Sequence, residues 1–238
     1  MRRFGRLTRR TIWAGLKQVL LWFYGLSIRV KVFGRDRVGL PLRRSFIVAA
    51  NHVTGADSIV IQIALHTRLF FIAWSRWFNT RFVGFFMRHL CDTVPVETGK
   101  GAENVPGLRA CIEALSEGAC IGIYPEGELN RTGLVDHLHD GCAWLAARTQ
   151  TPILPVYVHN LKLGPKPFSR PWINEAWEGF FSVVGNVLNT RIEVLLGEPI
   201  EPDPAALRGP ESLKLEVERL NSELRRQFEE LVLTASRN

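Results

Sequence analysis

Between residues 45 and 196, short uninterrupted apolar runs alternate with stretches of helical spacing, and this alternation constrains the fold more than any other feature. The runs are SFIVAA (45–50), FFIAW (70–74), ACIGIY (119–124) and ILPVYV (153–158), and RIEVLL (191–196), with one glutamate inside it, reads as a late strand. Each of the first four is too short for a helix and too continuously apolar for a strand with one wet face, so each reads as a strand buried on both sides. Residues 94–96 add a shorter strand. Helical spacing occupies 58–65, 77–89, 105–116 and 141–149; in 105–116 the apolar positions are Leu108, Cys111, Ile112 and Leu115, and Gly118 closes the helix. Buried strands separated by helices predict an α/β fold, a mostly parallel sheet flanked by helices. With 238 residues, 46% of them hydrophobic, the chain can bury one substantial core.

Three regions lie outside this alternation. Residues 162–177 (KLGPKPFSRPWINEAW) read as a Pro-, Lys- and Trp-rich loop. Residues 211–232 place Leu213, Val217, Leu220, Leu224, Phe228 and Leu231 on one helical stripe, the pattern of a helix docked on the domain. At the other end no acidic residue precedes Asp36, while Arg2, Arg3, Arg6, Arg9, Arg10, Lys17, Arg29 and Lys31 are basic. The net charge of +7 is therefore an N-terminal property. Within it, TIWAGLKQVLLWFYGLSI (11–28) is apolar and aromatic, but Lys17 and Gln18 interrupt it and no small-x-small cleavage site follows. A helix lying in the membrane interface fits this pattern, with basic residues on anionic headgroups and Trp13, Trp22, Phe23 and Tyr24 at the acyl boundary. Nothing besides charge favours nucleic acid. The expected organisation is a basic amphipathic membrane-association segment (1–32), an α/β domain (33–205) and a C-terminal amphipathic helix (206–238), on the cytoplasmic face of a membrane carrying anionic lipids.

The four cysteines (Cys91, Cys111, Cys120, Cys142) form no C-x-x-C pair, which argues for reduced buried thiols. His137 and His139, flanked by Asp136 and Asp140, lack a third ligand at recognisable spacing and read as a solvated loop. No metal and no cofactor is expected. His66, His89 and His159 have no partner motif.

Chemistry concentrates at the ends of two predicted strands, where α/β proteins place reactive groups. N-H-V-T-G-A-D (51–57) follows the first. Its His52 and Asp57 can fold back through Gly55, so that the carboxylate accepts one imidazole N–H and leaves the other nitrogen as a base. By itself such a spacing more often serves structure than chemistry. Tyr124-Pro125-Glu126-Gly127 ends a second strand, with Glu126 poised to accept from a hydroxylated ligand and Gly127 permitting close backbone approach. Thr151-Pro152-Ile153-Leu154-Pro155-Val156 opens a third.

In order and spacing these blocks resemble the glycerolipid acyltransferase family, whose best-known members are the 1-acylglycerol-3-phosphate acyltransferases. The resemblance covers about residues 45 to 161. It implies a glycerolphosphate-acyltransferase-like α/β fold with an N-terminal amphipathic membrane-association helix. It also implies direct acyl transfer from acyl-CoA or acyl-carrier protein to the free hydroxyl of a lysoglycerophospholipid, in phospholipid synthesis or remodelling. His52 would be the general base and Asp57 its orienting carboxylate; Glu126 and Gly127 would bind the glycerol portion, with Asn130 and Arg131 beside them in the substrate site.

Two positions depart from the family pattern. Glu128-Leu129-Asn130 stands where Thr-Arg-Ser is usual, and Thr98, after Val94-Pro95-Val96-Glu97, stands where an arginine is expected. A dianionic phosphate without those arginines loses charge-assisted bonds of about 1.5–3 kcal/mol each. Arg131, Lys100 and Arg88 are the nearest replacements in sequence. The altered blocks resemble instead the acyltransferase domain of lysophosphatidylethanolamine acyltransferases, whose acceptor phosphate is a diester. Two alternatives follow: a lipid-binding membrane protein that has lost catalysis, and an acyltransferase for a non-glycerol lipid.

Overall fold

The structure is a computed structural model and describes residues 15, 19, 21–79, 84, 87, 92–96, 106–130, 135, 137–164 and 171–237, with backbone only at 76 and 171–177. Strands β1 (Val30–Phe33), β2 (Ile47–Ala50), β3 (Leu69–Trp74), β4 (Thr93–Val96), β5 (Cys120–Ile123), β6 (Ile153–His159) and β7 (Ile192–Leu196) form one sheet in the order β1-β7-β6-β2-β5-β3-β4. Every neighbouring pair is parallel except β6 and β7. Helices α1 (Asp57–Leu65), α2 (Pro106–Ser116), α3 (Gly141–Thr149), α4 (Pro171–Gly185) and α5 (Pro210–Ala235) flank it. The alternating runs thus fold as expected, into a mostly parallel sheet covered by helices.

The reason is legible in β2. Its side chains alternate between faces: Ile47 and Ala49 join the core under α2, α3 and α5, whereas Val48 and Ala50 join the core under α1. Both faces are dry, so all four residues must be apolar. Pro155 would be out of place in the middle of a ladder. Here its carbonyl accepts from Gly197 N at 2.8 Å, just past the end of the β6–β7 pairing, which starts at Val156. Its missing N–H therefore falls where the ladder stops. The C-terminal stripe docks as read: Leu220, Leu224, Phe228 and Leu231 are buried on α5.

Two readings change. Residues 162–177 are not loop throughout, because α4 begins at Pro171, a residue well suited to the first helical turn. β1 begins at Val30, inside the stretch assigned to the basic N-terminal segment, and pairs with β7 through Val30–Ile192 and Phe33–Leu195. In the expected helix at 77–89, residues 75–79 form a 3-10 turn, and 84 and 87 are helical. Residues 21–27 are helical and lie against α1 and α4. A Cβ on Gly25 would stand 3.7 Å from Ile63, and the Tyr24 hydroxyl donates to the Val183 carbonyl at 3.0 Å. No helix among the described residues is long and apolar enough to cross a membrane.

Candidate active site

β2 and β5 are adjacent and in register, Ala49 opposite Ile123, so the chain leaves both strands at the same level. The two segments singled out in the sequence, 51–57 and 124–127, are therefore brought together. Asn51 fixes the point of departure. Its buried amide donates to the Val158 carbonyl at 3.1 Å and accepts from Val158 N at 2.7 Å, replacing one rung of the β2–β6 ladder with a side chain. Sequence reading did not assign Asn51 this role; an Asn ending an otherwise apolar strand was its only signal.

Beyond Asn51 the chain turns through 52–56 into α1, and Asp57 occupies the first helical position. Asp57 Oδ2 lies 3.0 Å from His52 Nδ1 and accepts from Val53 N at 2.7 Å and Thr54 N at 3.0 Å. Three donors converging on one oxygen serve an ionised carboxylate. Burial works the other way: Asp57 is fully enclosed, and desolvation pushes its carboxyl above the ordinary range while the imidazole and the two backbone N–H groups draw it down. Held at Nδ1, His52 keeps Nε2 as its unengaged nitrogen, and its side chain is 21% exposed. The pair is a buried carboxylate orienting a solvent-reachable imidazole.

The second segment locks the first in place. Glu126 Oε1 accepts from His52 N at 3.1 Å, and Asn130 N donates to the His52 carbonyl at 2.6 Å. Both backbone groups of His52 are thus held by the segment after β5. The Tyr124 ring lies flat on the imidazole, centroids 3.8 Å apart at 9°, and stacks in turn near Phe71 at 5.4 Å. Phe71 has room only because position 122 is glycine: a Cβ there would meet the Phe71 ring at 2.4 Å. Neither the stack nor the backbone clasp was read from the sequence, since both depend on the register between β2 and β5.

Gly127 has φ +74, and a Cβ on it would approach the His139 ring to 2.9 Å. His139, set aside in the sequence as part of a solvated loop, is exposed yet tied to this turn by its N–H to the Pro125 carbonyl at 2.8 Å. His66 is the left-handed cap of α1. Arg131, Arg88, Glu97, Thr98 and Lys100 lie outside the described residues. No group of three or more His, Cys, Asp or Glu side chains among the described residues could hold a metal ion. Cys111, Cys120 and Cys142 are free and buried, and burial pushes the Cys111 and Cys142 thiols up to about 12, far from a reactive thiolate. A concavity lined by Phe33, Arg37, Gln227 and Glu230 shares no residue with the His52 cluster.

Comparison with known proteins matches residues 29–159, just over half of the chain, to the family model described as Acyltransferase. A 1-acyl-sn-glycerol-3-phosphate acyltransferase of Borreliella burgdorferi is 26% identical over 150 residues, 60% of this chain and 55% of that protein. A chloroplastic 1-acyl-sn-glycerol-3-phosphate acyltransferase of Brassica napus is 26% identical over 110 residues, 46% of this chain and 31% of that protein. The chain thus spans about half the length of the first relative and less than a third of the second. The crystal structure of the 1-acyl-sn-glycerophosphate (LPA) acyltransferase PlsC from Thermotoga maritima matches with a TM-score of 0.56 at 21% identity, covering 97% of this chain and 98% of that one. It shares the fold described above.

Proposed function

The chain belongs to the acyltransferase family, and from that premise we propose that it moves a fatty acyl group from a thioester donor, acyl-CoA or acyl-carrier protein, to the free hydroxyl of a lysoglycerophospholipid at a membrane surface. The observation that carries this reading is the His52–Asp57 pair, one carboxylate oxygen on Nδ1 and the imidazole reachable from solvent.

His52 is the general base. The acceptor hydroxyl gives its proton to Nε2 as its oxygen forms a bond to the thioester carbonyl carbon. The tetrahedral intermediate then collapses by breaking the carbon–sulfur bond. The departing thiolate takes the proton back from the imidazolium, leaving an ester and a free thiol. Asp57 keeps the proton on Nδ1 and stabilises the cation formed midway, as the carboxylate of a triad does. The substrate's own hydroxyl is the nucleophile, which agrees with thiols that burial keeps protonated. Direct transfer needs no metal and no cofactor.

In this reading Glu126, Gly127 and Asn130 are the acceptor side of the site, and Arg131 is the cation that follows them in sequence. Glu126 and Asn130 also hold His52, so acceptor contacts and base position are mechanically linked. The curated relatives act, by name, on 1-acylglycerol 3-phosphate. Thr98 and Leu129, standing where arginines are usual, favour an acceptor whose phosphate is already a diester. The basic, apolar segment before Asp36 would hold the enzyme on the cytoplasmic face of an anionic membrane, where a lysolipid is found.

The test is labelled acyl transfer from acyl-CoA and from acyl-carrier protein to a panel of lysolipids, with His52→Ala beside wild type. A loss of about 10²–10⁴-fold in kcat is expected. Equal turnover in the variant removes His52 as base, and binding without turnover for every donor and acceptor leaves a lipid-binding protein instead.

A further inference from the structure

From Glu178 onward, α4 is built inside out. A helix on a water-soluble domain buries its apolar stripe and exposes its polar one. Along α4 and the turn after it, the residues at i, i+4, i+8 and i+11 from Glu178 are Glu178, Ser182, Asn186 and Asn189, all polar and at most 4% exposed. The opposite row, Phe180, Val184, Val187 and Leu188, is apolar and 42–78% exposed.

The buried row has a clear reason. α4 docks on the irregular backbone that leaves β6, whose N–H and C=O groups need partners. Gly164 N donates to Ser182 Oγ at 2.8 Å, and Ser182 Oγ donates to Glu178 Oε1 at 2.9 Å. Asn186 accepts from Lys162 N at 3.0 Å and donates to the Lys162 carbonyl at 2.9 Å, while Asn189 donates to the Asn160 carbonyl at 3.1 Å. The exposed row is apolar and makes none of these hydrogen bonds. Leu188 even sits at φ +63, the left-handed region that a branched side chain rarely enters, with its N–H tied to the Ser27 carbonyl at 2.8 Å.

That tie joins α4 to a second exposed apolar stripe. Val19, Trp22, Phe23 and Leu26, at i, i+3, i+4 and i+7, are 50–66% exposed on the N-terminal helical residues, which the Tyr24–Val183 bond holds beside α4. In sequence, both stripes adjoin basic stretches, and Glu178 on α4 is buried. No acidic residue precedes Asp36, and none lies between Asp140 and Glu175, a span that carries Lys162, Lys166 and Arg170. On its inner side α4 reaches the catalytic turn, where a Cβ on Gly55 would stand 2.8 Å from Gly179 Cα.

We propose that α4 and its following turn form a membrane-docking element, inserting Phe180, Val184, Val187 and Leu188 into the acyl boundary of an anionic bilayer beside the N-terminal stripe. An apolar surface edged by cations is what such an interface recognises. The contact also sets the mouth of the His52 turn against the leaflet that holds a lysolipid acceptor. The proposal deepens the membrane-surface reading but does not depend on acyl transfer.

The experiment is flotation of the full chain with vesicles of phosphatidylcholine and phosphatidylglycerol, a readout that needs no turnover. Phe180→Glu/Val184→Glu/Leu188→Glu should lower the partition coefficient at least about tenfold with the N-terminal arginines intact. Leu215→Glu/Leu233→Glu, at exposed leucines of α5, should leave it unchanged. Leu188→Gly, which also relieves the left-handed backbone, should weaken binding several-fold while raising the melting temperature, and so carries the test if the triple variant melts early. Wild-type partitioning in the α4 variants overturns the proposal. So does an equal loss in the α5 variant. Sedimentation without vesicles closes the remaining case: a wild-type dimer that the triple variant dissociates makes the face a contact between copies and also overturns it.

Discussion

α4 and α5 both dock on the domain with one polar and one apolar face, and they dock opposite ways round. α5 turns Leu220, Leu224, Phe228 and Leu231 onto the sheet and gives Arg219, Glu223, Arg226 and Glu230 to water. α4 and the turn after it direct Glu178, Ser182, Asn186 and Asn189 inward and leave Phe180, Val184, Val187 and Leu188 outside. What each helix rests on decides the matter. α5 mostly covers the side chains of a sheet face, whose own backbone groups are already paired, and turns only Glu216 and Gln227 inward, to the irregular backbone at Asp203 and Glu198. α4 covers the segment leaving β6, where backbone groups still require donors and acceptors. A helix's polarity thus reports what lies beneath it, and only afterwards what lies outside.

The largest expected effect that tests this contrast uses the same residue type on both helices. Phe228 is 1% exposed, whereas Phe180 is 58% exposed. Phe228→Ala should cost about 3–5 kcal/mol of unfolding free energy, and Phe180→Ala no more than about 0.5 kcal/mol. Comparable losses in denaturant titrations would show that α4 is packed by its apolar row after all. A smaller effect sharpens the other half. Asn186→Leu makes the inner face of the turn after α4 more apolar, which would help an ordinary docked surface. Here it strips partners from Lys162 N and from the Lys162 carbonyl and should destabilise by about 2–4 kcal/mol. Ser222→Leu on the outer face of α5 should be nearly neutral, and an Asn186→Leu chain as stable as wild type would refute the hydrogen-bonded account.

The same contrast explains what was legible in the sequence. β2, β5 and β6 are dry on both faces, so their apolar runs identify them without knowledge of the partners. α5 declares itself because its stripe faces the way stripes usually face. Periodicity alone does not say which stripe is inner, and α4 was obscured further by the Pro- and Lys-rich residues before Pro171. β1 is four residues of alternating Val and Lys or Phe beside a basic segment, too short to separate from it. At the site, His52 and Asp57 lie within one turn, and their pairing could be read from spacing. The Tyr124 ring on His52 and the Glu126 clasp of its N–H require β2 and β5 to be neighbours in a particular register, a fact of tertiary pairing that no local pattern contains.

The smallest effect concerns where α4 meets the turn that carries His52 and Asp57. Gly55 and Gly179 face each other, but unequally. A Cβ added at Gly55 would lie 2.8 Å from Gly179 Cα, a backbone atom that cannot step aside, whereas one added at Gly179 would lie 3.5 Å from Gly55 Cα, ordinary contact distance. Gly55→Ala must push α4 away or bend the turn carrying His52 and Asp57, and overpacking of this kind costs about 1–3 kcal/mol. Gly179→Ala sits in a helix interior, where alanine is favoured over glycine by about 1 kcal/mol, and should be neutral or stabilising. The activity readout separates two ways of absorbing the clash. If the turn bends, kcat falls because the Nδ1–Oδ2 contact is lost, with vesicle partitioning unchanged. If α4 shifts instead, partitioning falls while kcat on a detergent-dispersed acceptor holds. Equal stability, kcat and partitioning for both alanine variants would mean that helix and turn do not bear on one another, and that the inverted helix serves the membrane without reaching the site.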